Sequence, residues 1–172
     1  MSRFRAHKSS VLTHMQKLEI SNYLSQIIYV DIAGPYPQTF KGNKYIVAYI
    51  DSFSKGSEAF AVPNITSNTI AGTLTQFILQ DGCPKASISD KGPTLLSKMI
   101  ELVYKNLGIK HITTTAYSPS NNAKIECNHA TMNAALAHLA NLNHNNWDEN
   151  LHFAMLALSS AIHTSIDEAP FF

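Results

Sequence analysis

Cysteine is scarce in this chain: only Cys83 and Cys127 occur, neither in a CxxC pair, so no disulfide framework is available. A reducing, intracellular setting is the expectation. Long apolar runs are missing as well, and without about 18 consecutive apolar residues there is no membrane-spanning helix; no contact with a membrane is expected. The basic opening MSRFRAHKSSVLTHMQK is not followed by an apolar region and does not read as a secretory signal. Charge is also thin, at 15% of residues with a net +1, so composition alone identifies neither a disordered polyelectrolyte nor a nucleic-acid binder. There is no repeat and no low-complexity tract. What remains is 172 residues, 45% of them hydrophobic, enough for one domain with a sizeable core.

The small net charge hides an asymmetry. All thirteen Lys and Arg lie at or before Lys124, against seven acidic groups in the same stretch. Residues 125–172 have no Lys or Arg, five acidic groups, and five of the eight His: His129, His138, His144, His152 and His163.

Periodicity gives the order of elements. Gln26–Ala33 (QIIYVDIA), Lys44–Asp51 (KYIVAYID) and Ser57–Val62 (SEAFAV) are β-branched or aromatic runs separated by turn residues, which predicts an antiparallel meander. Ile70, Leu74, Phe77 and Ile78 then follow helical spacing behind Ser67 as N-cap, with Gly82 and Pro84 as the stop. A short strand, Ala86–Ser89, precedes a helix carrying Leu95, Leu96, Met99, Ile100, Val103 and Leu107, ended by Gly108. Ile109–Thr113 reads as a last strand and Thr114–Asn122 as a polar loop expected to be mobile. Two helices complete the prediction, at about 123–142 and 147–164, the latter presenting Trp147, Leu151, Met155, Leu158 and Ile162. The order βββαβαβαα implies one α/β domain with a mixed sheet and helices on its faces.

Three acids stand where such a fold gathers a site. Asp31 lies near the end of the first strand, Asp90 just after the fourth, and Glu126 in the first turn of the helix after the polar loop. Taken singly they read as a turn residue, an Asx-turn and a helix-start acid. Brought together, three carboxylates repel unless they hold cations, and Mg²⁺ or Mn²⁺ suit hard oxygen ligands. Two such ions would clamp the oxygens of an in-line phosphoryl transfer.

The words around these acids decide between the two. Fifty-eight residues separate Asp31 from Asp90, and thirty-five separate Asp90 from Glu126. With YVDIAGPYP, KGNKYIVAYIDSFSK, ISDKGP, GIKHITTTAYSPSNNAKIE and the closing NWDENLHFAMLALSSAIHTSIDEAPFF, the chain resembles the integrase catalytic core of retroviruses and LTR retrotransposons of the gypsy type. The resemblance spans about residues 26–172, the expected core domain, leaving 1–25 as an N-terminal leader expected to be disordered. It implies an RNase H-like fold with a five-stranded mixed sheet flanked by helices. It also implies catalysis by Asp31, Asp90 and Glu126 on two Mg²⁺ or Mn²⁺ ions, with DNA 3′-end processing and strand transfer as the reaction. DNA, both element ends and target, is the implied partner, a homo-oligomer the implied assembly, and the nucleus the implied place of action.

Several positions depart from the family pattern. Where the family commonly has His, a Gln-Ser-Asn-Gly run and Gln, this chain has Ser118, Ser120-Asn121-Asn122-Ala123 and Lys124; after the Glu stand Cys127, Asn128, His129 and Ala130. On a helix, Asn122, Glu126, His129 and Asn133 form one stripe facing the substrate DNA. Ser118, Asn122, Lys124 and His129 are therefore the candidate DNA contacts. So little positive charge predicts weak, salt-sensitive DNA binding, stronger near pH 6 as imidazoles become charged. His7 and His14 have no nearby Cys, so no zinc site is read at the N-terminus. These losses leave an alternative in which the chain is a domesticated or decayed, catalytically inactive DNA- or protein-binding module.

Overall fold

The β-branched runs supply all of the strands. The computed structural model describes residue 21, residues 23–113 and residues 145–160. Among these, β1 is Ile27–Ala33, β2 Tyr45–Asp51, β3 Ser57–Val62, β4 Ala86–Ser89 and β5 Lys110–Thr113; α1 is Ser67–Asp81, α2 Lys98–Asn106 and α3 Trp147–Ser160. The strands form the expected five-stranded mixed sheet, in the order β3-β2-β1-β4-β5. β1, β2 and β3 are the predicted antiparallel meander, and β4 and β5 continue the sheet parallel to β1.

Alternation sorts the strand side chains onto two faces. One face brings Ile28, Val30, Val47 and Tyr49 against Ile70, Leu74 and Phe77 of α1 and Ile100 and Tyr104 of α2. The Tyr49 ring stacks on Phe77 at 4.9 Å and its hydroxyl meets Thr73 Oγ1 at 2.9 Å, so this buried phenol has a polar partner. The opposite face packs Ile46 against Trp147, Leu151, Ala154 and Met155 of α3, with Ile27, Ala86 and Ile88 as a smaller neighbouring cluster. Each fully buried aliphatic or aromatic side chain contributes about 1.5–3 kcal/mol, so burial on both faces holds the sheet between its helices.

Two helix starts differ from the sequence expectation. Thr66, not Ser67, caps α1: its backbone is extended and its Oγ1 accepts from Thr69 N. Ser67 is the first helical residue, and its hydroxyl instead donates to Ser97 Oγ (2.8 Å), the N-cap of α2. Either hydroxyl can cap, so the neighbouring helix decides. α2 begins only at Lys98: Leu95 fills the core from the preceding turn, while Leu96 and Met99 stay 44% and 41% exposed. Gly108 follows α2 at φ +70°, the left-handed stop expected there. The helix expected at 123–142 and the expected end of the last helix at 161–164 lie outside the described residues.

The segment after β1 is tied to α3. Gly34 has φ +127°, and a Cβ there would lie 2.8 Å from the Lys44 carbonyl oxygen, so the turn requires glycine. Beyond it, Thr39 Oγ1 and Asn43 Nδ2 donate to Asp148 Oδ2 (2.8 and 2.7 Å), and Trp147 Nε1 donates to the Pro37 carbonyl (2.7 Å). These bonds fix the path of the chain leaving the C-terminal end of β1.

Candidate active site

The register of two parallel strands brings the first two predicted acids together. Ile27 lies opposite Ala86 and Val30 opposite Ser89. Ser89 ends β4, and carrying the register one residue beyond it brings Asp90 next to Asp31. Alternation assigns both acids to the same face, the one carrying Ile27, Ala86 and Ile88. Because β1 is the central strand, the two acids stand at the C-terminal end of the middle of the sheet. Asp31 is paired on β2 with Ala48, a small residue that leaves room over the carboxylate.

Each carboxylate is steadied locally. Asp31 Oδ1 accepts from the Ile32 N–H (2.8 Å) and Asp90 Oδ1 from the Gly92 N–H (2.9 Å). The Asp90 bond is the predicted Asx-turn, and it closes around a glycine for a reason: a Cβ at residue 92 would lie 3.0 Å from Asp90 Oδ1. Asp31 is half-buried and Asp90 exposed, so the pair is open to solvent and to a phosphate backbone. Glu126, Ser118, Asn122, Lys124 and His129 lie outside the described residues. Among the described residues no group of three or more His, Cys, Asp or Glu is placed to hold a metal ion. The two described donors are nonetheless hard carboxylate oxygens, the type that Mg²⁺ and Mn²⁺ prefer.

Behind Asp90 lies a polar set that the sequence reading missed. Ser87 and Ser89 are fully buried, which a strand interior tolerates only with partners. Ser87 Oγ meets Tyr104 Oη at 3.0 Å, and Ser89 Oγ meets His111 Nε2 at 2.8 Å and the Asp90 carbonyl at 2.9 Å. The His111 ring stacks on Tyr104 at 4.7 Å. Burial pushes the His111 imidazole below its ordinary range, partly opposed by the carboxylate of Glu101. The available signal was the pattern Ser-x-Ser-Asp in a strand too short to leave a polar side chain in water.

A second acidic set sits at the other end of the sheet. Asp51 ends β2, Glu58 lies at the start of β3 and Asp81 ends α1. Asp51 is buried and accepts from Ser25 N, Ser54 N and Ser54 Oγ at 2.8–3.0 Å. Desolvation raises the carboxyls of Glu58 and Asp81, with the charge of Asp81 adding to the first and that of Asp51 to the second.

A central parallel strand pair, an antiparallel meander on one side and two acids at the shared strand ends define a mixed-sheet α/β core with a candidate acidic site. Residues 25–119 match the integrase core domain family, and the chain belongs to that family. The matched stretch contains Asp31 and Asp90. The chain is 30% identical over 137 residues, 79% of its length, to the retrovirus-related Pol polyprotein from transposon 412 of Drosophila melanogaster, and spans 11% of that polyprotein. It is 32% identical over 100 residues (58% of the chain) to the Gag-Pol polyprotein of woolly monkey sarcoma virus, spanning 6% of it. Among solved structures, the HTLV-2 integrase catalytic core domain in complex with magnesium, in a trimeric form, superposes with a TM-score of 0.69 at 19% identity, covering 86% of this chain and 95% of that one. These neighbours are retroviral integrase cores, so the fold is the RNase H-like one that the sequence implied.

Proposed function

We propose that this chain is the catalytic core of a polynucleotidyl transferase that processes DNA 3′ ends and joins them to target DNA. The observation that carries the reading is the β1–β4 register, which sets Asp31 beside Asp90 on one face at the ends of adjacent parallel strands. In this reading Asp31 and Asp90 hold Mg²⁺ or Mn²⁺, and Glu126 completes the ligand set. When bound, a pair of such ions activates the attacking oxygen and neutralises charge building on the phosphate. No protein nucleophile is required, since water or a DNA 3′-hydroxyl supplies the oxygen. The chain's own contribution is orientation: the Ile32 and Gly92 N–H groups each fix one carboxylate oxygen, and the Gly34 turn directs the chain away from the strand ends.

Ser118, Asn122, Lys124 and His129 are the proposed DNA contacts. With no Lys or Arg after Lys124, DNA affinity is weak and falls steeply with salt. The substrate class places the working protein in the nucleus. Assembly into a homo-oligomer is part of the proposal, supported by the exposed apolar Phe153 and Leu156 on α3 and by the trimeric form of the HTLV-2 relative. The same loss of basic residues favours a second reading, an inactive module that keeps the fold for binding. A disintegration assay with Mn²⁺ on a branched DNA separates the two. Metal-dependent products that disappear in Asp31→Asn and Glu126→Gln support the enzyme; a wild-type chain with no product supports the binding module.

A further inference from the structure

The polar set behind Asp90 links a histidine to the backbone of a site carboxylate. Ser89 Oγ donates to the Asp90 carbonyl at 2.9 Å and lies 2.8 Å from His111 Nε2. With its proton given to the carbonyl, the hydroxyl is an acceptor for the imidazole, which assigns the ring proton to Nε2. The histidine is in turn fixed by its stack on Tyr104, whose hydroxyl is engaged by the buried Ser87. The set therefore runs from α2 through β5 to β4 and ends on the backbone of Asp90. That residue is then held at both ends, its carbonyl by Ser89 and its carboxylate by Gly92.

We infer that His111 is a positioning residue for Asp90, its Nε2–H acting through the Ser89 hydroxyl to set the Asp90 peptide and thereby aim the carboxylate at the cation. This rests on the metal-binding role proposed above for Asp90. Groups one bond removed from a metal ligand commonly change affinity by about 10- to 100-fold when lost, and orientation is how they act. His111 touches neither cation nor DNA in this scheme. Its half-buried ring, held below the ordinary imidazole range by that burial, is neutral with a single N–H, which keeps the direction of the relay defined at neutral pH.

The test uses the full chain with Mn²⁺ alone as probe, titrated calorimetrically, and a nitrogen NMR spectrum of the His111 ring. The parent is expected to show the Nε2–H tautomer. His111→Phe keeps the ring against Tyr104 but removes the donor; it is expected to weaken Mn²⁺ binding of the folded chain about tenfold and, by taking a partner from the buried Ser89 hydroxyl, to lower the melting temperature in EDTA slightly. His111→Gln, which returns an N–H at similar reach, is expected to recover most of the loss. An Nδ1–H tautomer in the parent, or Mn²⁺ binding by His111→Phe equal to that of the parent, overturns the inference. Asp90→Asn tests the underlying reading separately. Lost affinity there with none lost in His111→Phe removes only the role of His111, whereas retained affinity in Asp90→Asn removes the metal site itself. The tautomer is read on the parent, so the inference stays testable if His111→Phe does not fold.

Discussion

One sheet carries two sets of acids at opposite ends, and they are built differently. Asp51, Glu58 and Asp81 close the end where β2 turns into β3 and α1 stops; Asp31 and Asp90 stand where β1 and β4 finish. At the first end Asp51 takes three hydrogen bonds from Ser25 and Ser54, while burial and the neighbouring acids raise the carboxyls of Glu58 and Asp81. At the second end a backbone N–H holds Oδ1 of each carboxylate, Asp31 is half-buried and Asp90 exposed. Hard carboxylate oxygens at the ends of adjacent strands are the donor type suited to an external cation.

The comparison can be broken in graded ways. The largest effect is expected from Asp31→Asn or Asp90→Asn, each lowering cleavage or joining of branched DNA by at least about a hundredfold in a Mn²⁺ assay. Neither should lower the melting temperature in EDTA, because removing one of two adjacent like charges relieves repulsion. Asp51→Ala should do the reverse. It orphans the Ser25 and Ser54 N–H groups and is expected to cost about 2–3 kcal/mol in denaturant unfolding, while any Mn²⁺ response of the folded fraction persists.

Smaller changes sharpen the contrast. Gly92→Ala places a methyl 3.0 Å from Asp90 Oδ1, and a few-fold loss of Mn²⁺ affinity by calorimetry is expected with little change in stability. The smallest effect concerns Glu58→Gln and Asp81→Asn. Both carboxyls are raised in the folded state, so their charged forms cost stability above the folded pKa, and the cost vanishes as pH falls through the ordinary carboxyl range. Each variant should gain about 0.5 kcal/mol or less at pH 7, after allowing for solvent screening, and nothing near pH 4 in melts across pH.

Much of this architecture is written locally. The runs IIYVDIA, YIVAYID and SEAFAV are strands within a residue of their predicted bounds, because β-branched alternation and turn residues act over short range. The spacing of Asp31 and Asp90 has a physical counterpart in the register: Ile27 to Ala86 is the same offset as Asp31 to Asp90. Helix starts were less legible, since Thr66 and Ser67 can both cap and the choice depends on Ser97 of another helix. The Ser89–His111 bond was not legible at all. It joins residues twenty-two apart in sequence through a strand pairing that no local pattern specifies.

If the two ends differ as proposed, the Asp31–Asp90 end of the sheet binds divalent metal and the Asp51–Glu58–Asp81 end does not. Thermal melts of the parent, Asp90→Asn and Asp81→Asn with and without millimolar Mn²⁺ test it directly. A ligand at a hundred times its dissociation constant adds about 2.7 kcal/mol to the folded state, a rise of several degrees for a chain of this size. That rise is expected in the parent and in Asp81→Asn and is expected to be absent in Asp90→Asn. A parent whose melting temperature ignores Mn²⁺, or an Asp90→Asn chain that responds as fully as the parent, would contradict it.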